Sequence, residues 1–211
     1  MTITRNTFPV QQTPKLDVDN VLEKRKKAIA LLQPENDLEQ LLLLQSSFLE
    51  GLYWGTPRYG HPEGKVLYHV REVLNNVDKV APTPSLQRSR LRLISFVHDT
   101  FKSIEDRNRP RDWSKHHAAL ARNFLANFTD DTVTLDIIEL HDEAFYAWRM
   151  LLIEKRTAAG QLRFQNLLQK IGNNLQLYYL FFKCDTRTGD KILAPLEWFE
   201  TTVKSIEVVD I

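Results

Sequence analysis

Residues 91–102 read LRLISFVHDTFK, and their pattern decides the fold class. Leu91, Leu93, Ile94, Phe96 and Val97 cover nearly the whole circumference of a helical wheel. They follow neither the alternation of a half-buried strand nor the single stripe of a surface helix. The pattern predicts a helix from about Leu86 to Lys102, buried among other helices. That apolar run ends in His98 and Asp99, with Lys102 one turn further on. An unpartnered imidazole or carboxylate among core residues is costly, so each needs a partner.

The flanking sequence also reads at helical period. Asn36 and Glu39 form a capping box before LEQLLLLQSSFLEGL, predicting one helix from about Asp37 to Gly51. GTPRYGHPEG (55–64) is a loop by its Gly and Pro content. From about Lys65, Val66, Val70, Val73, Leu74 and Val77 share one face, and APTP (81–84) ends that helix. The loop EDRNRPRDW leads to a helix near Ser114 with Leu120, Ala121, Phe124, Leu125 and Phe128 inward. Another follows Asp130–Asp131 with Ile137, Ile138, Ala144, Phe145 and Trp148. A long helix is expected from about Gln161 towards Cys184, and the tail TTVKSIEVVDI holds the one stretch suited to a short strand. The expectation is an all-α, single-domain helical bundle over residues 17–211, preceded by a flexible arm over residues 1–16 with Pro9 and Pro14.

Composition narrows the function classes. The 211 residues are 43% hydrophobic and 26% charged with net charge +1, which gives no overall field towards nucleic acid or membrane. The basic runs at 24–27 (KRKK), Arg88/Arg90/Arg92 and Arg107/Arg109/Arg111 lack interleaved aromatics and have acidic neighbours. They read as solvated faces, with no nucleic-acid binding expected. The only cysteine is Cys184, which excludes an internal disulfide and fits a cytoplasmic protein. MTITRNTFPVQQTPK lacks the apolar core of a signal peptide, and no run suits a membrane span. No GxGxxG or GxxxxGK[ST] loop is present.

The chemistry-bearing residues sit where core residues are expected. His69 borders the Val66–Val73 stripe. His117 falls on the inward face with Leu120, Ala121, Phe124 and Leu125, whereas His116 would turn about 100° away. His141 keeps step with Ile137, Ile138, Ala144 and Phe145. Leu168, Ile171, Leu175, Tyr178 and Phe182 step by threes and fours to Asp185. Imidazoles and carboxylates collected in an apolar interior suit a divalent ion such as Mn, Fe, Zn, Co, Ni or Mg. Arg58, His61 and Lys65 belong to the loop at 55–65 and suit the mouth of a site for an anionic substrate. His61, before Pro62, has no stripe to point it inward as a ligand. Glu72 reads as an exposed helical residue, with general base as the other reading.

The order His69 … His98-Asp99 … Asp185 resembles the HD-domain metal-dependent phosphohydrolases, whose signature is H…HD…D on an all-helical scaffold. LYHVREVL resembles the first motif's helix, LISFVHDTFK the run ending in His-Asp, KHHAALARNFL and IIELHDEAF the extra histidine motifs of two-metal members, and FFKCDTRTGDK the closing Asp motif. The resemblance spans roughly residues 61–190. Phe101 stands where that family usually has a small residue, and Ala118 follows His117 where Glu is common. The resemblance implies a divalent metal held by His69, His98, Asp99 and Asp185, with His117 and His141 for a second ion that Asp99 would bridge. It also implies hydrolysis of a phosphate ester, most often of a nucleotide, by a metal-activated water, with Asp99 and Lys102 in catalytic roles. Arg58, Lys65 and Lys102 would then meet the phosphate of a small substrate. A non-catalytic module binding a nucleotide or partner protein, and a di-iron oxygenase, are alternatives on the same scaffold. A homo-oligomer is compatible with each.

Overall fold

The computed structural model describes residues 18–80 and 84–211; the arm expected over residues 1–16 lies outside them. Leu91, Ile94, Phe96 and Val97 have no exposed surface, as their all-round apolarity requires. They belong to α5 (Ser85–Val97), which packs against α4 (Val66–Val77), α7 (Thr132–Leu140) and α10 (Leu175–Thr186). Around this centre run α1 (Val18–Leu32), α2 (Asp37–Leu44), α3 (Ser46–Leu52), α6 (His117–Leu125), α8 (Glu143–Trp148), α9 (Thr157–Ile171) and α11 (Ala194–Thr202). The described chain is all-helical and contains no strand, only an isolated bridge between Arg58 and His61. Among the described residues no helix is long and apolar enough to cross a membrane.

Several sequence expectations are corrected. The helix expected over 37–51 is two helices, broken where Gln45 adopts an extended conformation (φ −76°, ψ 123°). Its side-chain amide donates to the Leu41 carbonyl at 3.1 Å, and such side-chain competition favours helix ends. The capping box is present only in part. The Asn36 side chain accepts from the Glu39 N–H at 2.9 Å, but the Glu39 carboxylate accepts from the Glu35 N–H at 2.8 Å.

The helix expected over 86–102 stops at Val97, and 98–101 form a turn leading to a 3-10 turn at Lys102–Ile104. The long helix towards Cys184 is interrupted by a 3-10 turn at Gly172–Asn174. The tail forms no strand. It lies along α10, where the Gln176 side chain exchanges hydrogen bonds with the Glu207 backbone at 2.8 and 2.9 Å. Ile206, Val209 and Ile211 meanwhile pack on the core. Its alternation is that of an extended chain on a helical surface.

The Arg88/Arg90/Arg92 run is not a solvated face. Arg92 is 2% exposed and makes a paired contact with fully buried Glu39 at 2.9 and 3.0 Å, while Arg90 clasps Asp131 at 2.8 Å. Fork-to-carboxylate pairing is the geometry that makes a buried guanidinium tolerable.

Two contacts position the segments used below. A Cβ added to Gly51 would lie 1.9 Å from the Thr100 carbonyl oxygen, so α3 supports the 98–101 turn through bare backbone. Phe101 is 6% exposed and packs at a tilt against Phe124, ring centroids 4.9 Å apart, so it fills core rather than facing a substrate. Gly51→Ala should therefore destabilise the chain by about 3 kcal/mol, at the upper end for overpacking. Glu39→Ala should cost about 3–5 kcal/mol by leaving the buried Arg92 without its main partner. Urea unfolding of each variant checks both values, and a loss below about 1 kcal/mol in either would contradict the corresponding contact.

Candidate metal centre

Apart from His69, which lies within α4, the ligand-type side chains sit at or beside helix ends, where unused backbone groups can hold them. His98 caps the C-terminus of α5 and faces the Ser95 carbonyl through Nδ1 at 3.0 Å. His141 caps α7 and faces the Ile138 carbonyl through Nδ1 at 2.8 Å. A carbonyl oxygen only accepts, so each ring carries its proton on Nδ1 and turns the Nε2 lone pair inward. Tyr178 of α10 donates to the Leu140 and His141 carbonyls at 3.1 and 3.2 Å and accepts from the Ala144 N–H at 3.2 Å. This fixes the turn between α7 and α8. Asn76 of α4 donates to the Cys184 and Arg187 carbonyls at 2.9 and 2.8 Å, which holds the end of α10 where Asp185 projects.

These elements bring His69, His98, Asp99, Asp185, His117 and His141 together from across the chain. Nε2 of His69 lies 3.2 Å from Nε2 of His98 and 2.9 Å from Oδ1 of Asp185. Oδ2 of Asp99 is 3.6 Å from both of those nitrogens. On the other side of the carboxylate, Oδ1 of Asp99 is 3.5 Å from Nε2 of His117 and 3.6 Å from Nε2 of His141, which are 3.3 Å from each other. Asp142 completes this second set, its Oδ2 at 3.3 Å from His117 and 3.7 Å from His141.

Lone pairs directed at one another at such distances repel unless a proton or a cation stands between them. Donors held about 2.1 Å from a common ion lie about 3.0 Å apart at right angles and about 3.4 Å apart at the tetrahedral angle. The buried cluster is positioned to hold a metal ion.

The electrostatics agree. Burial raises the cost of charge on Asp99 and Asp185, yet the Lys102 ammonium beside Asp99 and the Lys191 ammonium 2.8 Å from Asp185 hold both carboxyls well below the usual range. Burial lowers His69 to about 3, with Lys191 adding to the effect, so it is a neutral donor. Burial also opposes charge on His117, but the carboxylates of Asp142, Asp99 and Glu105 outweigh it and lift this histidine to about 10. A proton on His117 occupies the place that a cation would take.

Lys102 pairs closely with Asp99. Burial disfavours its charge, but Asp99, Asp142 and Asp185 together raise its pKa. A cavity of about 310 Å³ opens onto the cluster, bordered by Asp99, Lys102, Asp142, Asp185, Lys191 and His61. Arg58 lies in a small adjoining cleft with His61, Glu63 and Lys102. Lys65 lines neither, its ammonium sitting 5.2 Å over the Tyr53 ring. Glu72 is half-buried and accepts from the Gly189 N–H at 3.0 Å, which ties α4 to the loop after α10.

His116 does not turn outward as its helical angle predicted. It precedes α6 in extended conformation as the N-cap, accepts from the Ala118 N–H, and is only 4% exposed. A helix-face argument does not reach a residue outside the helix.

Sequence reasoning missed Asp142, Glu105, Glu63 and Lys191. Asp142 carried a usable signal, since His141-Asp142 repeats the His98-Asp99 dipeptide. Glu105 and Lys191 lie in loops, where no period points them. No protein-family model, curated protein or solved structure matches the chain.

Metal binding should displace the His117 proton, because an imidazole ligand must be neutral. Titrating Zn or Mn into chelator-stripped protein at pH 7.5, in buffers of different ionisation enthalpy, should show net proton release. Affinity should rise with pH up to about 10, the His117 value. Proton-independent binding would contradict this role for His117.

Proposed function

We propose that the chain is a metal-dependent phosphohydrolase of the HD type, acting on a small phosphate ester, with a nucleotide as the leading substrate class. The reading rests on the single Asp99 carboxylate shared between two histidine–carboxylate sets, at a cavity that also carries two lysines. His69, His98, Asp185 and Asp99 would hold one divalent ion, and His117, His141, Asp142 and Asp99 a second. When bound, such ions supply a water of lowered pKa and polarise a phosphoryl oxygen.

The remaining roles belong to the chain's own side chains. Lys102 and Lys191 are cationic at the mouth of the cluster and meet the phosphate charge, each already held in place by a carboxylate. Tyr59, Phe145 and Phe182 also border the cavity and offer ring faces to a planar organic group. His61 donates from Nδ1 to Glu63 at 2.8 Å, leaving Nε2 to exchange a proton. Burial, with Lys191 and Lys102 nearby, pushes its pKa below the ordinary histidine value, so it is neutral and able to accept one near pH 7. The two ammonium groups favour an anionic substrate, which supports phosphoryl chemistry over an oxygenase on the same scaffold.

The test is hydrolysis of a panel of nucleotides and other phosphomonoesters by protein loaded in turn with Mn, Fe, Zn, Co, Ni and Mg. Asp99→Ala should lower hydrolysis at least about a hundredfold with a modest loss of stability, because it removes a ligand from both sets while the apolar core carries most of the burial. Lys191→Ala should chiefly raise KM, by about tenfold, as expected for a lost charged contact to phosphate. Folded, metal-loaded protein that hydrolyses nothing on the panel would overturn the enzymatic reading.

A further inference from the structure

The loop 105–113, whose Arg107 and Arg109 are exposed as a solvated basic stretch requires, also helps form a cavity of about 210 Å³ that shares no lining residue with the one at the metal centre. Six arginines line it: Arg107, Arg109 and Arg111 from the loop, Arg149 and Arg156 from around the π-helical turn Arg149–Ile153, and Arg163 from α9. Three carboxylates serve them. Glu105 pairs with Arg107 and Arg111, Glu154 with Arg149 at 2.9 Å and Arg156 at 3.4 Å, and Glu143 with Arg163 at 2.6 Å. Arg109 has no acidic partner among the described residues. Six cations less three anions leave an excess of three positive charges, in a chain whose total is +1. The charge that the whole composition conceals is gathered at this one place.

Three of the guanidinium groups are also held with their faces occupied. Arg163 stacks 4.6 Å over Trp113 and 4.7 Å over Tyr146, Arg111 lies 5.1 Å over Trp113, and Arg149 lies 5.2 Å over Tyr146. Stacking uses the flat surface of a guanidinium and leaves its N–H edge for oxygen acceptors. An excess of positive charge carried by forked donors points to an anion with several oxygens.

We propose that this cavity binds an oligophosphate: pyrophosphate, tripolyphosphate, or the phosphate chain of a nucleoside di- or triphosphate. Guanidinium forks match phosphate oxygens two at a time, and a chain of phosphates carries enough charge to meet the excess. The volume lies below the roughly 300–1,000 Å³ of sites that enclose a drug-sized molecule, so the cavity takes the phosphate chain and leaves any nucleoside outside. This site is independent of the phosphohydrolase reading, and its test requires no turnover.

The experiment is calorimetric titration of pyrophosphate, tripolyphosphate and ATP into the full chain with divalent metal chelated. Wild type should bind tripolyphosphate saturably and more weakly as salt rises. Arg109→Glu/Arg156→Glu, both at exposed positions, should weaken that binding at least about tenfold. Arg156→Gln should weaken it in the same direction by a smaller factor, and melting curves confirm that each variant is folded. Lys204→Ala, at an exposed position outside both cavities, should leave it unchanged within about twofold. ATP binding tighter than tripolyphosphate would identify a nucleotide source, and equal affinity the free oligophosphate. Absence of saturable binding, binding unaffected by the arginine substitutions, or much tighter binding of single-stranded RNA than of any of the three would overturn the proposal.

Discussion

The carboxylate of Asp99 lies between two pairs of imidazoles, one oxygen towards His69 and His98 and the other towards His117 and His141. Four imidazole nitrogens and the Asp99, Asp142 and Asp185 carboxylates converge there in an otherwise apolar interior. Such a centre cannot be assembled from one helix. It needs ends of several helices at one point, and the all-helical bundle supplies them: α5, α7 and α10 terminate there, α6 begins there, and α4 passes alongside. The core that buries α5 thus also sets the distances at the centre. A cation held there would offset this mutual repulsion, to which the positive charges of Lys102 and Lys191 are already opposed.

The same local device is used twice. His98-Asp99 ends α5 and His141-Asp142 ends α7, each histidine anchored through Nδ1 to the carbonyl three residues earlier. At a helix C-terminus those carbonyls have no intrahelical partner, so the cap satisfies the backbone and fixes the ring in one act. Outer partners continue the pattern. Glu63 and Thr188 lie 3.5 and 3.4 Å from Nδ1 of His69, and Glu105 lies 3.4 Å from Nδ1 of His117. Glu105 also holds Arg111 and Arg107, which physically joins the histidine cluster to the arginine-lined cavity.

The helical class and the meeting of His69, His98, Asp99, His117, His141 and Asp185 were legible because each of these residues interrupts, or continues, a run that apolar periodicity had already oriented. Periodicity says nothing beyond the last turn of a helix. That is why the break at Gln45, the inward His116, and the loop residues Glu105 and Lys191 escaped it. Arg92 escaped for another reason: its burial depends on Glu39, 53 positions away, and no local pattern announces a partner that distant. Of the arginine cavity only the run Arg107/Arg109/Arg111 stands out in the sequence, since Arg149, Arg156 and Arg163 join it only where the 105–113 loop meets α9 and the π-helical turn.

The proposed sharing of Asp99 by two cations is open to crystals soaked in Mn or Zn and measured at the metal's absorption edge. Anomalous difference density should show two peaks, one among His69, His98 and Asp185 and the other among His117, His141 and Asp142, each about 2.0–2.2 Å from an oxygen of Asp99. No peak at Asp99, or peaks only at surface carboxylates, would rule that sharing out.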